Sequence, residues 1–263
     1  MTYLIPALIL GGCGLLAGVL LTVAAKVFHV EVDERVEKIS GSLPQANCGA
    51  CGFAGCSDYA DAIINKGAPT NLCRPGGADA AAKIAEILGT AAADVERMTA
   101  VVHCSGNCDA TKKQFEYDGY QSCKAVKRFY GGDGMCKYGC IGLGDCAAVC
   151  EHDAIAVING AAKVDPLKCG ACGQCASACP NGLISIKPLA KRIDVLCSSA
   201  DNGKQTKLRC SNGCIGCKIC EKKCPSGAIK VENFHASIDY ELCTGCGVCM
   251  ASCPSKVIHS CGE

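Results

Sequence analysis

The feature that most constrains this chain is a cysteine pattern that occurs twice. Six cysteines recur 74 residues later, as the pairs Cys136/Cys210, Cys140/Cys214, Cys146/Cys220, Cys150/Cys224, Cys169/Cys243 and Cys179/Cys253. Cys172 and Cys175 recur as Cys246 and Cys249. Two copies of a unit this long indicate duplicated domains, because a solenoid needs more repeats to bury its core.

Both cysteine runs of the second copy follow C-x2-C-x2-C-x3-C-P, the run of bacterial two-cluster ferredoxins. Three thiolates two residues apart can wrap three corners of a [4Fe–4S] cube, and the fourth cysteine of each run reaches the other cube. The predicted ligand sets are Cys214, Cys217, Cys220 and Cys253 for one cluster, and Cys224, Cys243, Cys246 and Cys249 for the other. Zinc fits these runs poorly, since it prefers two separated pairs of ligands.

The first copy has one intact run and one irregular run, GMCKYGCIGLGDCAAVC. Leu143 stands where the repeat requires a cysteine, and Cys136 lies four residues upstream of Cys140 as a substitute. The predicted sets are Cys136, Cys140, Cys146 and Cys179, and Cys150, Cys169, Cys172 and Cys175. Cys210 occupies the place of Cys136 in the second copy, where the set is already complete, so presence there does not prove ligation.

The segments between the runs also align. DAIAVINGAAKVD matches GAIKVENFHASID, and each predicts two short strands joined by a tight turn. Asn159-Gly160 favours a type I′ turn. Strand pairs that bridge two cysteine runs are typical of a ferredoxin with two clusters.

An earlier motif, C-x2-C-x4-C-x16-C, consists of Cys48, Cys51, Cys56 and Cys73. The glycines within it allow the backbone to approach sulfides closely and to donate N–H bonds to them. The motif predicts another four-cysteine cluster. A zinc site remains open as an alternative on spacing alone.

Five cysteines remain between these motifs, and four of them could hold a sixth cluster: Cys104, Cys108, Cys123, Cys197 and Cys210. We expect Cys104, Cys108 and Cys123 to act with either Cys197 or Cys210. The expected cofactors are therefore five [4Fe–4S] clusters, with a sixth as an option.

The N-terminal residues Leu4 to Ala25 carry no charge, and 22 residues approach the ~20 that span a bilayer as a helix. A cleaved signal peptide is the alternative, but it needs a basic start and a shorter apolar core. Lys26, Arg35 and Lys38 all follow the run. This asymmetry predicts a single-pass anchor in the inner (cytoplasmic) membrane, with the cysteine domains on the cytoplasmic side.

Composition argues against several classes of protein. The chain has 27 cysteines in 263 residues; a disulfide scaffold is disfavoured, because such scaffolds are short secreted chains. We find no P-loop, no nucleophile elbow, and no flavin or nicotinamide site, and a net charge of +1 gives no reason to expect nucleic acid. Residues 187–230 carry ten Lys or Arg and three Asp or Glu. This excess either offsets the charge of clusters or forms a docking face for an acidic electron carrier.

The predicted fold class is α+β: a transmembrane helix, a small [4Fe–4S] domain and two tandem dicluster-ferredoxin-like domains. The expected boundaries are an anchor at 1–28, a four-cysteine domain at 29–98, a cysteine-containing connector at 99–133, and ferredoxin-like domains at 134–190 and 191–263.

The order of an anchor, NCGACGFAGC with a distal Cys73, and ferredoxin-type repeats resembles the B subunit of Rnf complexes, in the form with two ferredoxin domains. The resemblance covers essentially the whole chain. It implies one component of a membrane translocase that couples electron flow between reduced ferredoxin and NAD to sodium or proton transport. It also implies the complex's other membrane subunits, soluble ferredoxin and the lipid bilayer as partners. We expect no independent substrate site in this chain. The alternatives are an electron-transfer subunit of another reductase or hydrogenase, and an iron–sulfur scaffold or sensor.

Overall fold

The computed structural model describes residues 4–27 and 33–260. It begins with helix α1 (Leu4–Val27), which coincides with the uncharged run predicted as an anchor. Among the residues whose side chains are described, no helix is long and apolar enough to cross a membrane. The boundary expected between residues 28 and 29 lies outside the described residues.

A three-helix unit follows. Its members are α2 (Glu34–Ser42), α3 (Cys56–Lys66) and α4 (Gly77–Leu88). The Asp33 side chain caps α2 by accepting a hydrogen bond from the Arg35 N–H at 2.8 Å. Both α3 and α4 end at a glycine in the left-handed conformation, the usual stop for a helix. Ile39, Tyr59 and Ile84 are buried at the centre of the unit.

Two similar halves make up the rest of the chain. The elements of the first half are β1 (Met98–Val102), α5 (Cys123–Lys127), α6 (Asp145–Ala148), β2 (Ile155–Ile158), β3 (Ala161–Val164), α7 (Gln174–Ala178) and β4 (Ile184–Pro188). Those of the second are β5 (Ile193–Val195), α8 (Gly203–Arg209), α9 (Ile219–Lys223), β6 (Ile229–Glu232), β7 (His235–Ile238), α10 (Val248–Ala251) and β8 (Ile258–Ser260). We call these halves the first and second repeats.

Each repeat contains two antiparallel strand pairs. The hairpins are β2–β3 and β6–β7, and the outer pairs are β1–β4 and β5–β8. Val102 pairs with Ile184 and Val195 pairs with Ile258. Since Ile184 and Ile258 are 74 residues apart, β1 is the counterpart of β5. β1, which overlaps the segment 99–133 expected to be a connector, therefore pairs with a strand of the first repeat.

The predicted tight turn at Asn159-Gly160 is present. Both residues have positive φ, 50° and 78°, as a type I′ turn requires. The hairpins cover small cores that cysteines complete: Ile155 and Leu183 pack with Cys146 and Cys175 in the first repeat. In the second repeat, Cys214, Cys220 and Cys249 likewise belong to the buried core.

Two equivalent glycines press against the hairpin turns. Gly142 and Gly216 have φ of 82° and 66°. A Cβ on Gly142 would overlap the carbonyl oxygen of Gly160, and one on Gly216 would lie 2.9 Å from the carbonyl oxygen of Phe234. This close approach brings the cysteine run and the hairpin of each repeat into contact.

We expect Gly142→Ala to destabilise the first repeat by more than the ~1–2 kcal/mol that a left-handed backbone costs an alanine, because the overlap with Gly160 adds to that cost. Gly173→Ala is the matched control, since Gly173 has the same φ of 82° but nothing within 4 Å of its Cβ position. The measurement is the guanidinium midpoint of the anaerobically purified proteins. Equal shifts in the two variants would contradict the overlap argument.

Candidate metal centres

The N-terminal set comprises Cys48, Cys51, Cys56 and Cys73, and the structure brings its members together. Cys56 begins α3, and its N–H donates to the Asn47 side chain at 2.8 Å. Burial raises the pKa of the Cys73 thiol, and the neighbouring Cys56, Cys51 and Cys48 thiols add to the shift. Cys51, Cys56 and Cys73 also pack against the same buried core of the three-helix unit, although Cys73 is 17 positions downstream of Cys56.

Tyr59 fixes the loop that returns Cys73 to this set. Tyr59 belongs to α3, and its side chain is buried. Its hydroxyl donates to the Pro69 carbonyl at 2.7 Å. The same oxygen accepts from the Leu72 N–H at 3.1 Å. Gly76 leaves room for the sulfur, since a Cβ there would lie 3.0 Å from Cys73 Sγ.

In the second repeat, two cavities are each lined by four cysteines. The Cys217 cavity, with about 330 Å³ of space free of protein atoms, is lined by Cys214, Cys217, Cys220 and Cys253. The Cys246 cavity, with about 310 Å³, is lined by Cys224, Cys243, Cys246 and Cys249. In both, one cysteine comes from the other run, as the ferredoxin pattern requires.

The intact run of the first repeat forms a third such cavity. The Cys172 cavity, of about 300 Å³, is lined by Cys150, Cys169, Cys172 and Cys175. Backbone N–H groups point at its sulfurs: Ala100 N–H donates to Cys169 Sγ at 3.3 Å, and Ala154 N–H to Cys150 Sγ at 3.4 Å. The first of these donors belongs to β1, so this strand helps to build the site.

The irregular run differs from its sequence-based interpretation. A cavity of about 400 Å³, here called the α5 cavity, is lined by Cys123, Cys140, Cys146 and Cys179. Cys136, expected to complete this set, lines a different cavity, on which Cys140 also borders. The fourth cysteine on the wall of this cavity is therefore Cys123, which lies 17 residues upstream of Cys140.

Asp145 explains why Cys123 reaches this cavity. Its carboxylate accepts hydrogen bonds from the Ser122 hydroxyl at 2.9 Å, from the Cys123 N–H at 2.9 Å and from the Lys124 N–H at 3.0 Å. The side chain thereby caps α5 and holds its first residue beside Cys146. These hydrogen bonds keep the pKa of the Asp145 carboxyl below its ordinary value despite the opposing effect of burial.

The cysteines proposed for a sixth cluster separate in the structure. Cys104, Cys136, Cys197 and Cys210 line a cavity of about 510 Å³ between the two repeats, here called the inter-repeat cavity. Cys123 lies on the α5 cavity instead. Cys108 is exposed at the β2–β3 turn, where its N–H donates to the Asn159 carbonyl at 3.0 Å.

Burial makes the thiols that line the cavities poor acids. It raises the pKa of Cys104 and Cys175 to about 12, and that of Cys146 and Cys220 to about 11. Thiolate is the form that binds metal, so ligation here must release protons and supply a compensating positive charge.

The sulfur-lined cavities fit a cuboidal cluster. Their walls combine four thiols with apolar side chains and with N–H groups directed at sulfur, the surroundings that stabilise bound iron–sulfur clusters. Within the described part of the chain, no three His, Cys, Asp or Glu side chains are spaced to hold a single metal ion.

Comparison with protein-family models finds iron–sulfur domains in both parts of the chain. Residues 43–75 match a model described as a putative Fe–S cluster. Residues 168–228 and 213–257 match a 4Fe–4S dicluster domain. With the hairpins and the cysteine-lined cavities, these matches define an iron–sulfur protein of the ferredoxin class.

Curated relatives narrow this class to a family. The chain is 43% identical over 236 residues to the B subunit of the ion-translocating oxidoreductase complex of Methanosarcina acetivorans, covering 89% of both chains. It is 43% identical to the B subunit of the Na⁺-translocating ferredoxin:NAD⁺ oxidoreductase complex of Acetobacterium woodii, over 91% of this chain and 72% of the relative. The proton-translocating counterpart of Clostridium ljungdahlii is 39% identical, over 88% and 82%. The chain belongs to the family of B subunits of these complexes.

Proposed function

We propose that this chain is the electron-relay subunit of an ion-translocating ferredoxin:NAD oxidoreductase complex of the Rnf type. The carrying observation is that four-cysteine sets recur along the whole chain, each gathered in its own part of the fold. A [4Fe–4S] cluster, when bound, accepts and donates a single electron. The residues of the chain would ligate, space and shield such carriers, with no bond-making side chain of their own.

Five ligand sets follow from this proposal. Their proposed members are Cys48, Cys51, Cys56 and Cys73; Cys123, Cys140, Cys146 and Cys179; Cys150, Cys169, Cys172 and Cys175; Cys214, Cys217, Cys220 and Cys253; and Cys224, Cys243, Cys246 and Cys249. The position of Cys123 on the wall of the α5 cavity supports its place in the second set.

The neighbourhood of the sets supports a continuous relay. Burial raises the pKa of the Cys172 thiol, and the thiol of Cys48 in the N-terminal set contributes to the shift. Burial and nearby thiols, Cys146 of the α5 cavity among them, raise the pKa of Cys175. Cys175 of the Cys172 set and Cys146 of the α5 cavity also pack in one buried core, which supports the adjacency of these two sets.

We propose that α1 anchors the chain in the cytoplasmic membrane, with the repeats on the cytoplasmic side next to the other components of the complex. The uncharged sequence of Leu4 to Ala25 supports this, and so does the exposure of apolar side chains such as Leu15, Leu16 and Leu21, which are 66 to 73% exposed. Basic residues that follow the helix support the orientation.

Reduced ferredoxin is the proposed donor, and the Cys217 cavity is the proposed point of entry. Cys217 is exposed at the surface, and Lys218 lines the same cavity. Lys222 and Lys223 are exposed at the end of α9, directly downstream. An exposed ligand beside lysines suits an acidic electron carrier, because opposite charges steer its approach.

The experiment that tests the proposed function is reduction of the anaerobically purified complex by reduced ferredoxin. We expect the triple variant Lys218→Glu, Lys222→Glu, Lys223→Glu to slow the bimolecular rate about tenfold at low salt, and the gap to narrow as salt increases. Lys83→Glu on α4, also exposed, is the matched control and should leave the rate unchanged.

Equal rates for the triple variant and the control would place the entry point elsewhere. A wild-type complex that ferredoxin does not reduce at all would overturn the proposed function.

A further inference from the structure

The inter-repeat cavity contains four cysteines that the five proposed sets leave over. Cys104, Cys136, Cys197 and Cys210 all line it, together with Cys140 of the α5 cavity. Its sulfurs lie in the chain's interior: Cys210 is buried, and the other three are partly buried. These four thiols are free and are gathered in one cavity, as the ligands of a shared group would be.

The two repeats contribute equivalent pairs to this cavity. Cys136 and Cys210 are related by the 74-residue repeat. Cys104 lies two residues beyond the end of β1, and Cys197 lies two residues beyond the end of its counterpart β5. The four cysteines are thus two symmetry-related pairs, which meet where the repeats face each other.

Backbone donors follow the same symmetry. The Cys140 N–H donates to Cys104 Sγ at 3.3 Å, and the Cys214 N–H donates to Cys197 Sγ at 3.3 Å. Cys140 and Cys214 are themselves a repeat pair and belong to the neighbouring α5 and Cys217 cavities. N–H bonds to sulfur stabilise ligating thiolates, so both repeats are prepared for ligation in the same way.

A glycine borders the space between two of the sulfurs. A Cβ on Gly106 would lie 3.4 Å from Cys104 Sγ and 3.5 Å from Cys210 Sγ, between the two. The Gly106 N–H donates to Cys104 Sγ at 3.4 Å. This N–H is a further backbone donor to a sulfur of the cavity, as in the surroundings of bound iron–sulfur clusters.

The walls of the cavity are tied together across the repeats. The Ser105 N–H donates to the Leu196 carbonyl at 3.0 Å, and the Asn212 side-chain amide donates to the Ser105 carbonyl at 3.0 Å. The Thr111 hydroxyl donates to the Arg209 carbonyl at 2.8 Å. These bonds hold the two cysteine pairs in a fixed relation, as a preorganised site requires.

We propose that Cys104, Cys136, Cys197 and Cys210 ligate a sixth [4Fe–4S] cluster, shared between the repeats and positioned between the α5 and Cys217 cavities. This inference rests on the proposed function. A cluster at this position would give the two ferredoxin-like repeats a common electron carrier. It would thereby link the adjacent cysteine sets of the first repeat to those of the second.

The test is iron and acid-labile sulfide per chain, with Mössbauer spectra, on the anaerobically purified full-length protein. Wild type should contain about 24 irons. Cys136→Ala and Cys197→Ala should each lose about four irons, and the double variant should lose no more than either single variant, because both remove the same site. Cys108→Ala is the matched control and should lose none.

Three outcomes would overturn the proposal: about 20 irons in wild type, an unchanged count in Cys197→Ala, or a loss of about eight in the double variant. Stoichiometric zinc in place of the missing iron would overturn it as well. If a single alanine variant fails to accumulate, Gly106→Val provides a second variant, which fills the cavity and retains every cysteine; it should lose the same four irons. None of these outcomes depends on reduction by ferredoxin, so the proposed function can stand or fall separately.

Discussion

Replacing Cys123 by alanine is expected to remove about four irons per chain from the α5 cavity. Cys123 is buried on the wall of that cavity, beside Cys140, Cys146 and Cys179. Asp145 fixes its backbone by accepting hydrogen bonds from the Cys123 and Lys124 N–H groups. The measurement is iron and sulfide content, together with the spectrum of the lost cluster.

Double variants separate Cys123 from Cys136 as the ligand of this cavity. Cys123→Ala combined with Cys179→Ala should lose no more iron than Cys179→Ala alone, since both residues belong to one site. Cys136→Ala combined with Cys179→Ala should lose about eight irons, because two sites are removed. The reverse pattern would return Cys136 to the α5 cavity.

Replacing Asp194 by alanine is expected to cost about 3–5 kcal/mol, since it leaves a buried charge without its partner. Lys187 at the end of β4 and Asp194 in β5 form an ion pair whose side chains are 2% and 0% exposed. The Tyr240 hydroxyl donates to the second Asp194 oxygen at 2.6 Å, and Lys187 also donates to the Lys191 carbonyl. The ion pair joins β4 to β5 across the short connection between the two repeats.

The guanidinium midpoint, followed by circular dichroism under anaerobic conditions, measures this loss. Lys187→Met with Asp194→Leu should recover most of the stability, because no lone charge remains buried. Glu34→Gln is the surface control: its pair with Lys38 is exposed, so the expected change is within ~1 kcal/mol. An Asp194→Ala midpoint equal to that control would mean that water or another group replaces the lost partner.

The spacing of the cysteines predicted much of the candidate site, because the cysteines of a ferredoxin motif lie close together in the sequence. Cys243, Cys246 and Cys249 lie on one turn and the start of one helix, so their grouping around the Cys246 cavity follows from the chain itself. The hairpin at Asn159-Gly160 is local as well. The return of Cys73 to its set depends on the buried hydroxyl of Tyr59, but the motif already contained that cysteine.

The position of Cys123 could not be predicted from the sequence, because the corresponding segments of the two repeats differ in length. The fixed 74-residue offset aligns Cys123 with Cys197, yet the strands align Cys197 with Cys104. From Val102 to Cys136 there are 34 residues, whereas from Val195 to Cys210 there are 15. The additional segment contains α5, and only its contact with Asp145 reveals which cavity it serves.

The pairing of β1 with β4 has a consequence for how this chain can be divided. Each outer strand pair has two members, so the Ile184–Pro188 strand has a neighbour on one side only, and that neighbour is β1. A fragment that begins at residue 134 would leave unpaired the N–H and C=O groups of β4 that now face β1, and an unpaired strand edge can recruit other chains. The smallest fragment of the first repeat that keeps this edge covered begins before Met98.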